Sequence, residues 1–373
     1  MKIAFATSTA FHLRHLAREL LALGHQVEFH SYLPKSKTRS YGLPDSACVS
    51  HFWRLLPWSA LALIRGGGKA RARIREGLFA RVDRAIARQL GDADVLIGLS
   101  AVAVESARVA SARGQLVVIE RGLTHIITQQ AVAEASGGSA PSALYVEREL
   151  ASYACADVVV VLSRHAADSF LAQGFPAERL DTAPLGVDTA LFHPAPAPPP
   201  LPVRAIFVGG WSRRKGCDLF EPLLNAIPEL QLVHVGLQDG LDFPQNPRFT
   251  SLGYRTPGQL AEELRQHHLF LFPSRDDGFG MVLAEALASG LRVVSSTASG
   301  GPDLARIVGQ EHLALIAPGS LEELVAATRA QIAAIQADPA RMALESQTIN
   351  LLSWRGYGTR YAAMLERLLA VRA

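Results

Sequence analysis

The stretch HLFLFPSRDDGFGMVLAEALASGLRVVSS, residues 268–296, alternates two apolar runs with a turn and a helical pattern. The first run, 268–274, predicts a buried strand. Met281 to Ala288 predicts a helix of strong helix formers that stops at Gly290. A second apolar run, 291–296, follows at once. Continuous apolar strands separated by helices are typical of a parallel sheet covered on both faces, so this stretch predicts an α/β fold.

The same alternation runs along the rest of the chain and is interrupted by HPAPAPPPLP, residues 193–202. Proline at this density continues neither a helix nor a central strand, so this stretch predicts an extended linker. A chain of 373 residues is long enough for two domains with separate cores. We therefore expect two doubly wound α/β domains whose ligands lie beyond the carboxyl ends of the strands, in a cleft between them.

The composition excludes several classes of protein. With 49% hydrophobic and 19% charged residues, the chain is globular rather than disordered. No apolar run approaches the roughly 20 residues that a membrane-spanning helix needs, and the start MKIAFATSTAF lacks the features of a signal peptide. The three cysteines are widely spaced and form no zinc or redox motif. These features predict a cytoplasmic protein.

A basic segment over 53–90 departs from the nearly balanced charge of the chain, whose net charge is +3. Glu76 and Asp83 alone oppose its basic residues, which are Arg54, Arg65, Lys69, Arg71, Arg73, Arg75, Arg81, Arg84 and Arg88. Basic residues beside exposed aromatics suit an anionic membrane surface, which would place the protein peripherally at the inner membrane face. The alternative is a solvated helix with an apolar stripe facing the core, formed by Ile74, Leu78, Val82 and Ile86. Because the rest of the chain shows no basic stripe, we expect no nucleic-acid partner.

Glu285 is the charged residue of the predicted helix 281–288. A carboxylate that is buried without a partner costs several kcal/mol, so Glu285 should hold a ligand. Asp277 lies eight residues earlier in the predicted turn, where Gly278 and Gly280 let the backbone approach a ligand closely. Both carboxylates can accept hydrogen bonds from a polyhydroxylated ligand. For Asp277, a helix N-cap is the alternative.

A second candidate site opens the second domain in FVGGWSRRKGCDLF, residues 207–220. Gly209 and Gly210 end a predicted strand, and Arg214 and Lys215 lie on the turn that follows. Two cations on a glycine-rich turn at the carboxyl end of a strand can neutralise a diphosphate. A surface loop with ordinary basic residues is the alternative.

The stretch 274–294, SRDDGFGMVLAEALASGLRVV, resembles the signature of retaining glycosyltransferases of family 4, which have the GT-B fold. There, two acidic residues flank a Gly-Phe-Gly turn. The resemblance implies that Glu285 binds the ribose of a nucleotide-sugar and that Asp277, where the family usually has glutamate, binds the donor sugar. The donor-binding residues that it implies are Gly209, Gly210, Arg214, Lys215, Asp277, Gly278, Phe279, Gly280, Met281, Val282 and Glu285.

Weaker matches extend the resemblance over nearly all of residues 155–373. Lys215-Gly216 resembles a pair whose lysine contacts the diphosphate, and lipopolysaccharide core glucosyltransferases, which carry Arg-Lys-Gly, resemble this chain more closely. Three further segments are similar to the family: APLGVDTALFHP before the linker, SGGPD near the donor, and LSWRGYGTRYAAMLERLL in a helix that returns to the first domain. The implied domains are an acceptor-binding domain 1–192, a linker 193–202, a nucleotide-sugar-binding domain 203–352 and the returning helix 353–373.

The end of one strand in the first domain carries a departure from the family. Many relatives place a histidine near the donor sugar where this chain has Arg121, and His125 lies one turn later. Either residue can face the cleft. A surface arginine and a helix-packing histidine are the alternatives.

The first strand of that domain is followed by Thr7, Ser8 and Thr9 instead of the Gly-Gly turn of many relatives. These hydroxyl residues can cap the next helix and line the cleft. His12 and His15, on the same segment, are interpreted as packing or capping residues.

The resemblance implies a hexosyltransferase that moves a hexose from a nucleoside diphosphate sugar to a hydroxyl of a glycan, a lipid-linked or a small-molecule acceptor. It also implies retained configuration, a front-face reaction in which the leaving phosphate helps to deprotonate the acceptor, and no metal or cofactor. Asp276 and Asp277 are adjacent, so their side chains point apart and make a poor metal clamp. The catalytic candidates are Asp277, Arg214, Lys215, Arg121 and His125.

Two other functions fit the same two-domain architecture. A nucleotide-sugar epimerase would need acid and base groups at one sugar carbon and no separate acceptor. A non-catalytic sugar-nucleotide or glycan-binding protein would bind the donor without turnover. No Gly-x-Gly-x-x-Gly follows the first strand, which argues against a dehydrogenase.

Overall fold

The structure is a computed structural model that describes residues 1–8, 12–56, 68–338 and 344–372, with the backbone alone for 68–75. Its strands form two parallel sheets that do not share a strand. Alternate residues of the first strand enter two separate cores, Ile3 and Phe5 on one face and Ala4 and Ala6 on the other. A sheet with a core on each face must be covered by helices on both sides, so the predicted doubly wound α/β fold is confirmed.

The first sheet has seven parallel strands in the order β3-β2-β1-β4-β5-β6-β7. β1 and β4 are neighbours in the sheet but are not consecutive in the chain. The strand order reverses at this point, so a crevice opens there at the carboxyl ends of the strands. The strands are β1 Lys2–Ala6, β2 Gln26–Ser31, β3 Cys48–Ser50, β4 Val95–Leu99, β5 Leu116–Arg121, β6 Val158–Val161 and β7 Leu180–Thr182.

The second sheet has six parallel strands in the order β10-β9-β8-β11-β12-β13, and its crevice lies between β8 and β11. All four residues of β11, the strand predicted from the apolar run 268–274, are buried. The strands are β8 Arg204–Val208, β9 Gln231–Val235, β10 Phe249–Ser251, β11 Leu269–Phe272, β12 Arg292–Ser296 and β13 Leu313–Ile316.

Helices connect the strands and cover the sheets. The helix predicted over Met281–Ala288 is observed with those bounds, and Gly290 follows it in a left-handed conformation with φ 85°. In the first domain the helices are α1 Leu13–Ala22, α2 Lys35–Arg39, α3 Gly68–Gln89, α4 Glu105–Ala112, α5 Ile126–Ala135, α6 Ala143–Cys155 and α7 Arg164–Leu171. After the linker they are α8 Phe220–Ala226, α9 Pro257–Leu264, α10 Met281–Ala288, α11 Gly301–Val308, α12 Leu321–Ala337, α13 Ser346–Leu352 and α14 Trp354–Arg372.

The chain crosses between the domains twice, and the two crossings touch. The first runs from β7 to β8, and the second runs from α13 to α14. The N–H of Val187 donates to the carbonyl of Leu352 at 2.8 Å. A Cβ atom added to Gly186 would lie 2.6 Å from the Cα of Trp354, so this close contact requires glycine.

The C-terminal helix α14 packs on the first domain rather than on the second. The ring of His15 in α1 stacks on Trp354 with 4.2 Å between ring centroids. A Cβ atom on Gly358 would lie 2.4 Å from the Cβ of Glu19, which shows how closely α14 approaches α1. At the far end, Arg372 donates to the carbonyl of Gln115 at 3.0 Å.

The carboxyl ends of the two sheets face each other and are in direct contact. The Oγ of Ser163 donates to the carbonyl of Gly278 at 2.6 Å, and the N–H of Arg164 donates to the carboxylate of Asp303 at 2.9 Å. A Cβ atom on Gly278 would lie 2.1 Å from the carbonyl oxygen of Gly122. The turn that follows β11 is therefore held against the first domain by backbone contacts.

We expect Gly278→Ala to push the two domains apart, because the added methyl group would overlap the Gly122 carbonyl. The free energy of unfolding should fall by about 1–3 kcal/mol, and small-angle scattering should show a larger radius of gyration. Gly258→Ala is the matched control, since a Cβ there meets nothing within 4 Å and the backbone is not left-handed. Identical scattering for both variants would contradict the close approach at Gly278.

Candidate active site

Asp276 and Asp277 lie on the turn between β11 and α10, and their side chains point to different partners. Asp276 accepts a hydrogen bond from Thr124 Oγ1 at 3.2 Å and lies 3.0 Å from His165 Nε2, both in the first domain. Asp277 forms an ion pair with Lys215 in the second domain. In the part of the chain that the structure describes, no three His, Cys, Asp or Glu side chains lie close enough together to hold a metal ion.

The Lys215–Asp277 pair sits at the carboxyl end of β11, with side-chain exposures of 14% and 13%. Burial alone would raise the pKa of Asp277, but the charge and hydrogen bond of Lys215 and the N–H of Phe279 hold it below its usual value. Asp277 is therefore a carboxylate at neutral pH. The helix-cap alternative is wrong, because α10 begins at Met281 with Gly280 at the N-cap position.

The Arg-Lys-Gly loop packs against the turn that carries Asp277. Arg214 donates from Nη1 to the carbonyl of Asp276 at 2.7 Å, and the N–H of Arg275 donates to the carbonyl of Arg214 at 2.8 Å. Gly216 is left-handed with φ 75°, and a Cβ there would lie 2.1 Å from the carbonyl oxygen of Pro273. Arg214 and Lys215 are thus fixed beside the acidic turn, unlike the residues of an ordinary surface loop.

Gly209 and Gly210 follow β8 on the same side of the sheet. Gly209 has φ 152°, a conformation that favours glycine, and a Cβ on Gly210 would lie 3.3 Å from a carboxylate oxygen of Asp239. The N–H of Gly209 donates to the carbonyl of Val235 at 2.9 Å. Both glycines lie at the end of the strand as predicted, and contact of their backbone with a ligand stays a prediction.

Glu285 is half-buried in α10, and no described residue forms a hydrogen bond or an ion pair with its carboxylate. Burial raises the pKa of Glu285 to about 7. The fold therefore carries the electrostatic cost of this carboxylate without offsetting it by a partner of its own. That is the arrangement expected of a group that binds a ligand.

The Gly-Phe-Gly turn joins these groups to the start of α10. Phe279 is buried, and its carbonyl accepts a hydrogen bond from the N–H of Gly300 at 2.8 Å. Gly280 is left-handed with φ 77°, and no side chain caps the helix that follows. Met281 is exposed and Val282 half-buried in the first turn. The uncapped N–H groups of this turn can bind an anion or a hydroxyl.

Arg121 is buried, which rules out the surface alternative. Its guanidinium donates to Glu149 Oε1 at 2.5 Å, to Gln129 Oε1 at 2.5 Å and twice to the carbonyl of Thr124. The side chain also reaches the wall of the cleft. Most of its donors are committed within the first domain, so contact with a donor sugar stays a prediction.

We expect Glu149→Gln to lower the free energy of unfolding by about 3 kcal/mol, because it leaves the buried Arg121 charge without its counter-charge. Glu147→Gln, on the exposed side of the same helix, is the matched control and should change stability little. Urea denaturation at pH 7 measures both. Equal stability of the two variants would show that the Arg121–Glu149 pair contributes nothing to folding.

His125 does not face the cleft, so its prediction as a catalytic residue is corrected. It is the N-cap of α5, where its Nδ1 accepts the N–H of Ile127, and its ring packs edge-on to Phe170 with 4.8 Å between centroids. Burial and the charge of Arg121 lower the pKa of His125 to about 4, so the ring is neutral. The helix-packing alternative is the observed one.

His12 lines the cleft, whereas its sequence context predicted a packing or capping residue. It lines a cavity of about 390 Å³ between the domains, together with Ser8, Arg121 and Asp277. Its Nε2 lies 3.2 Å from Oε2 of Glu120, a residue 108 positions later. No local pattern announces this pairing, because it depends on the adjacency of the ends of β1 and β5 to the start of α1.

Ser8, one of the hydroxyl residues after β1, does not cap α1 through its side chain as predicted. The helix begins at Leu13, and its N-cap residue His12 makes no side-chain capping hydrogen bond. Ser8 lines the cavity instead, which agrees with the other half of that prediction. Thr9 lies outside the described residues.

The basic segment 53–90 is described in part. Leu78, Val82 and Ile86 of α3 face the core, as the solvated-helix alternative requires, and Trp53 is 80% exposed. The side chains of Arg71, Arg73, Arg75 and Ile74 lie outside the described residues. Among the residues that the structure covers, every helix is too short or too polar to cross a membrane.

Comparison with known proteins identifies both halves of the chain. Residues 9–191 match the family described as Glycosyltransferase Family 4, and residues 202–333 match the family described as Glycosyl transferases group 1. A sulfoquinovosyl transferase of Arabidopsis thaliana is 28% identical over 195 residues, covering 47% of this chain and 37% of the relative. A GDP-mannose-dependent α-(1-6)-phosphatidylinositol monomannoside mannosyltransferase of Mycolicibacterium smegmatis is 30% identical over 248 residues, covering 57% and 62%. The chain thus spans less than two thirds of the length of these relatives.

Solved structures share the whole fold. Sucrose-phosphate synthase of Thermosynechococcus elongatus superimposes with a TM-score of 0.68 at 18% identity, covering all of both chains. HepE of Anabaena in complex with UDP and glucose gives a TM-score of 0.65 at 16% identity, covering 98% of this chain and 100% of HepE. WaaG, a glycosyltransferase of lipopolysaccharide biosynthesis, gives a TM-score of 0.57 at 16% identity, covering 97% of this chain and 95% of WaaG. At these identities the structural likeness establishes the fold and leaves the lipopolysaccharide subgroup a prediction.

The fold and the matched domains define the GT-B class of proteins. The chain belongs to the group 1, family 4 glycosyltransferases, with the family 4 domain first and the group 1 domain second.

Proposed function

We propose that this protein transfers a hexose from a nucleoside diphosphate sugar to a hydroxyl acceptor, with retained anomeric configuration. The observation that carries the proposal is the carboxylate of Glu285, which no described residue binds and which lies on the helix that follows the Lys215–Asp277 pair. Two carboxylates and a cation supply partners for the ribose, the sugar and the diphosphate of a nucleotide-sugar. An epimerase or a binding protein would not need the open first-domain side of the cleft.

In this proposal each donor group meets a chemically suited partner. Glu285 accepts hydrogen bonds from the ribose hydroxyls, and Asp277 accepts them from the hexose. Lys215, Arg214 and the uncapped N–H groups at the start of α10 bind the diphosphate. The Lys215–Asp277 ion pair fixes the two side chains side by side, so that the sugar and the phosphate are oriented together.

The chemical step then depends on stabilising the leaving group. The acceptor oxygen bonds to the anomeric carbon while the bond from that carbon to the diphosphate oxygen breaks. The electron pair leaves with the diphosphate, which takes the proton of the acceptor hydroxyl. Fixed positive charge at Arg214 and Lys215 stabilises the negative charge that develops there, a contribution typically worth about 10²–10³ in rate for one donor.

We also propose that the reaction needs no metal and no cofactor. The protein would be cytoplasmic, with segment 53–90 in peripheral contact with the anionic inner face of the membrane. The exposed Trp53 supports the membrane contact. Glu76 and Asp83 support it as well, since their carboxylates bind groups outside this segment: Glu76 accepts a hydrogen bond from Ser142, and Asp83 binds the start of α4 and pairs with the largely buried Arg148. The acceptor is a glycan, a lipid-linked glycan or a small-molecule hydroxyl.

The test is a thermal-shift screen of the purified protein against UDP-, GDP-, ADP- and TDP-sugars, with and without EDTA. A ligand at one hundred times its Kd stabilises the native state by about 2.7 kcal/mol. We expect one donor to raise Tm selectively, the shift to survive EDTA, and Glu285→Ala to abolish it while the exposed control Glu322→Ala keeps it. Proton NMR of the product then reads the anomeric configuration. No shift with any donor would favour a protein that does not use nucleotide-sugars.

A further inference from the structure

The cavity beside His12 lies on the first-domain side of the candidate donor site. It opens at the carboxyl ends of β1, β4 and β5, and Asp277, Phe279, Gly280 and Met281 of the second domain close it. Its volume of about 390 Å³ falls in the range of roughly 300–1,000 Å³ that is usual for small-molecule sites. Because residues of the first domain form most of its lining and Asp277 borders it, the cavity is the space in which an acceptor would meet the donor sugar of the proposed transferase.

The walls of this cavity are mostly apolar, and most of their polar groups are already bonded. The guanidinium of Arg121 and the hydroxyl of Ser100 both donate to Glu149, and Asp277 is paired with Lys215. The apolar side chains that the first domain contributes are Phe79, Leu99, Val102, Leu123, Leu162 and Leu185.

Two lining groups have hydrogen-bonding capacity that the protein leaves unused. The Oγ of Ser8 is buried, with 1% of the residue exposed, and has no hydrogen-bond partner among the residues that the structure describes. The carboxylate of Glu120 can only accept, so Nε2 of His12 carries the proton in their contact. The Nδ1 of His12 has no hydrogen-bond partner among the described residues, so it is available to a ligand hydroxyl. Tyr357 donates to the other oxygen of Glu120 at 3.4 Å and helps to hold this arrangement.

We propose that this cavity binds an amphiphilic acceptor, with a hydroxyl on Ser8 and His12 and an aliphatic or aromatic group against the apolar walls. This inference rests on the proposed transferase and narrows its acceptor to hydroxyl compounds that carry an apolar group beside the hydroxyl. A bare oligosaccharide fits poorly, because its hydroxyls would press against walls that offer them no partner.

Phe79 connects this cavity to the basic segment 53–90. It belongs to α3, which is the main element of that segment, so one helix both forms a cavity wall and carries seven of the nine basic residues. A lipid of the bilayer and a soluble hydrophobic alcohol both carry a hydroxyl beside an apolar group, so either could be the acceptor. The experiment therefore needs an arm that distinguishes a bilayer lipid from a soluble alcohol.

The first arm titrates the full-length protein with ethanol, 1-butanol, 1-hexanol and 1-octanol, and with methyl β-glucopyranoside as a hydroxyl compound without an apolar group. Saturation-transfer NMR gives each Kd. We expect Kd to fall about fourfold for each added methylene until the cavity is full, and the glucoside to bind more weakly than 1-octanol. A Kd that does not change with chain length would overturn the proposal.

Three variants locate the binding. Phe79→Ser and Leu123→Ser, both at half-buried positions, should raise the Kd of 1-octanol roughly tenfold. Ser8→Ala should raise the Kd of ethanol and the Kd of 1-octanol by similar factors, because both alcohols lose the same hydrogen bond. It should also raise Tm, because it removes a buried hydroxyl that no described residue binds. Leu171→Ser, at a 43% exposed position on α7, is the control and should change neither the Kd of the alcohols nor Tm. Unchanged 1-octanol binding in all variants would mean that alcohols bind elsewhere.

The donor screen separates this inference from the proposed function. Chain-length-dependent alcohol binding without any nucleotide-sugar binding would leave the cavity assignment standing and remove the transferase; a flat alcohol series with a clear donor shift would do the reverse. In a second arm, phosphatidylglycerol vesicles that displace 1-octanol would identify a bilayer lipid as the source. Persistence of bound 1-octanol beside the vesicles would identify a soluble alcohol.

Discussion

Lys215→Met is expected to lower turnover by about 10²- to 10³-fold, measured as release of nucleoside diphosphate from the donor. The methionine keeps most of the side-chain stem and removes the cation that would stabilise the leaving diphosphate. Arg213→Met is the matched control, since Arg213 is 55% exposed and lies 3.7 Å from Asp218. If both variants lost turnover equally, the effect would come from the overall positive charge of the loop rather than from Lys215.

The same substitution should also change stability in a pH-dependent way. Lys215 holds the pKa of Asp277 below its usual value, so their pairing stabilises the fold at neutral pH and is lost as the pH falls through that depressed pKa. Lys215→Met should therefore cost about 2 kcal/mol at pH 7, a value lowered for the partial exposure of the pair, and progressively less toward pH 3. The double variant Lys215→Met/Asp277→Asn should regain stability without regaining turnover. Recovery of turnover in the double variant would contradict the role of Lys215 at the diphosphate.

Glu285→Gln is expected to weaken donor binding and to stabilise the free protein. Two hydrogen bonds from ribose hydroxyls to a carboxylate would be weakened, which should raise the donor Kd about 10- to 100-fold. The substitution also removes a carboxylate that burial holds at a pKa of about 7. A residue retained for folding would show the opposite sign in stability, so the pair of measurements distinguishes a binding role from a structural one.

The stability gain from Glu285→Gln should depend on pH. Below pH 4.5 the carboxyl is protonated in the folded and the unfolded states, and the wild type carries no penalty. Between pH 4.5 and about 7 the unfolded state loses the proton while the folded state keeps it, so the penalty grows and is complete above pH 7. Thermal unfolding should therefore show the variant more stable by about 1–3 kcal/mol at pH 8 and by much less at pH 5.

Donor affinity should follow the same titration. In the wild type, calorimetry should show tighter binding at pH 8 than at pH 6, because the carboxylate accepts hydrogen bonds from hydroxyls better than the carboxylic acid does. In Glu285→Gln the affinity should be constant over that range. A pH-independent wild-type Kd would count against Glu285 as the ribose ligand.

Features with a local cause were predictable from the sequence. The bounds of Met281–Ala288 follow from helix propensity and the glycine stop, and the buried strand β11 follows from its apolar run. Glu285 was also recognisable, because a lone carboxylate in an apolar helix violates the local pattern that folding alone would favour. Sequence signals of this kind need no knowledge of which elements meet.

Features that depend on pairing between distant elements were not predictable. Whether Arg121 lies at the surface or in the interior depends on Glu149, which approaches it from a separate helix. His12 lies in the cleft beside Glu120, 108 residues later, and Glu120 in turn accepts a hydrogen bond from Tyr357, another 237 residues along the chain. The periodicity of the sequence places His12 near the start of a helix, but it does not indicate which residue of a distant strand the histidine contacts.

The two chain crossings touch at Val187 and Ser353, and this contact restricts how the two domains can move relative to each other. Segments joined by backbone pairing cannot slide past each other or separate independently, so they act as a double hinge whose axis runs through both. Domain motion is then limited to opening and closing about one line, and α14 turns as part of the first domain. If the protein is the proposed transferase, we expect donor and acceptor to enter from the side remote from the crossings, and the turn around Gly278 to return to the same position after each opening.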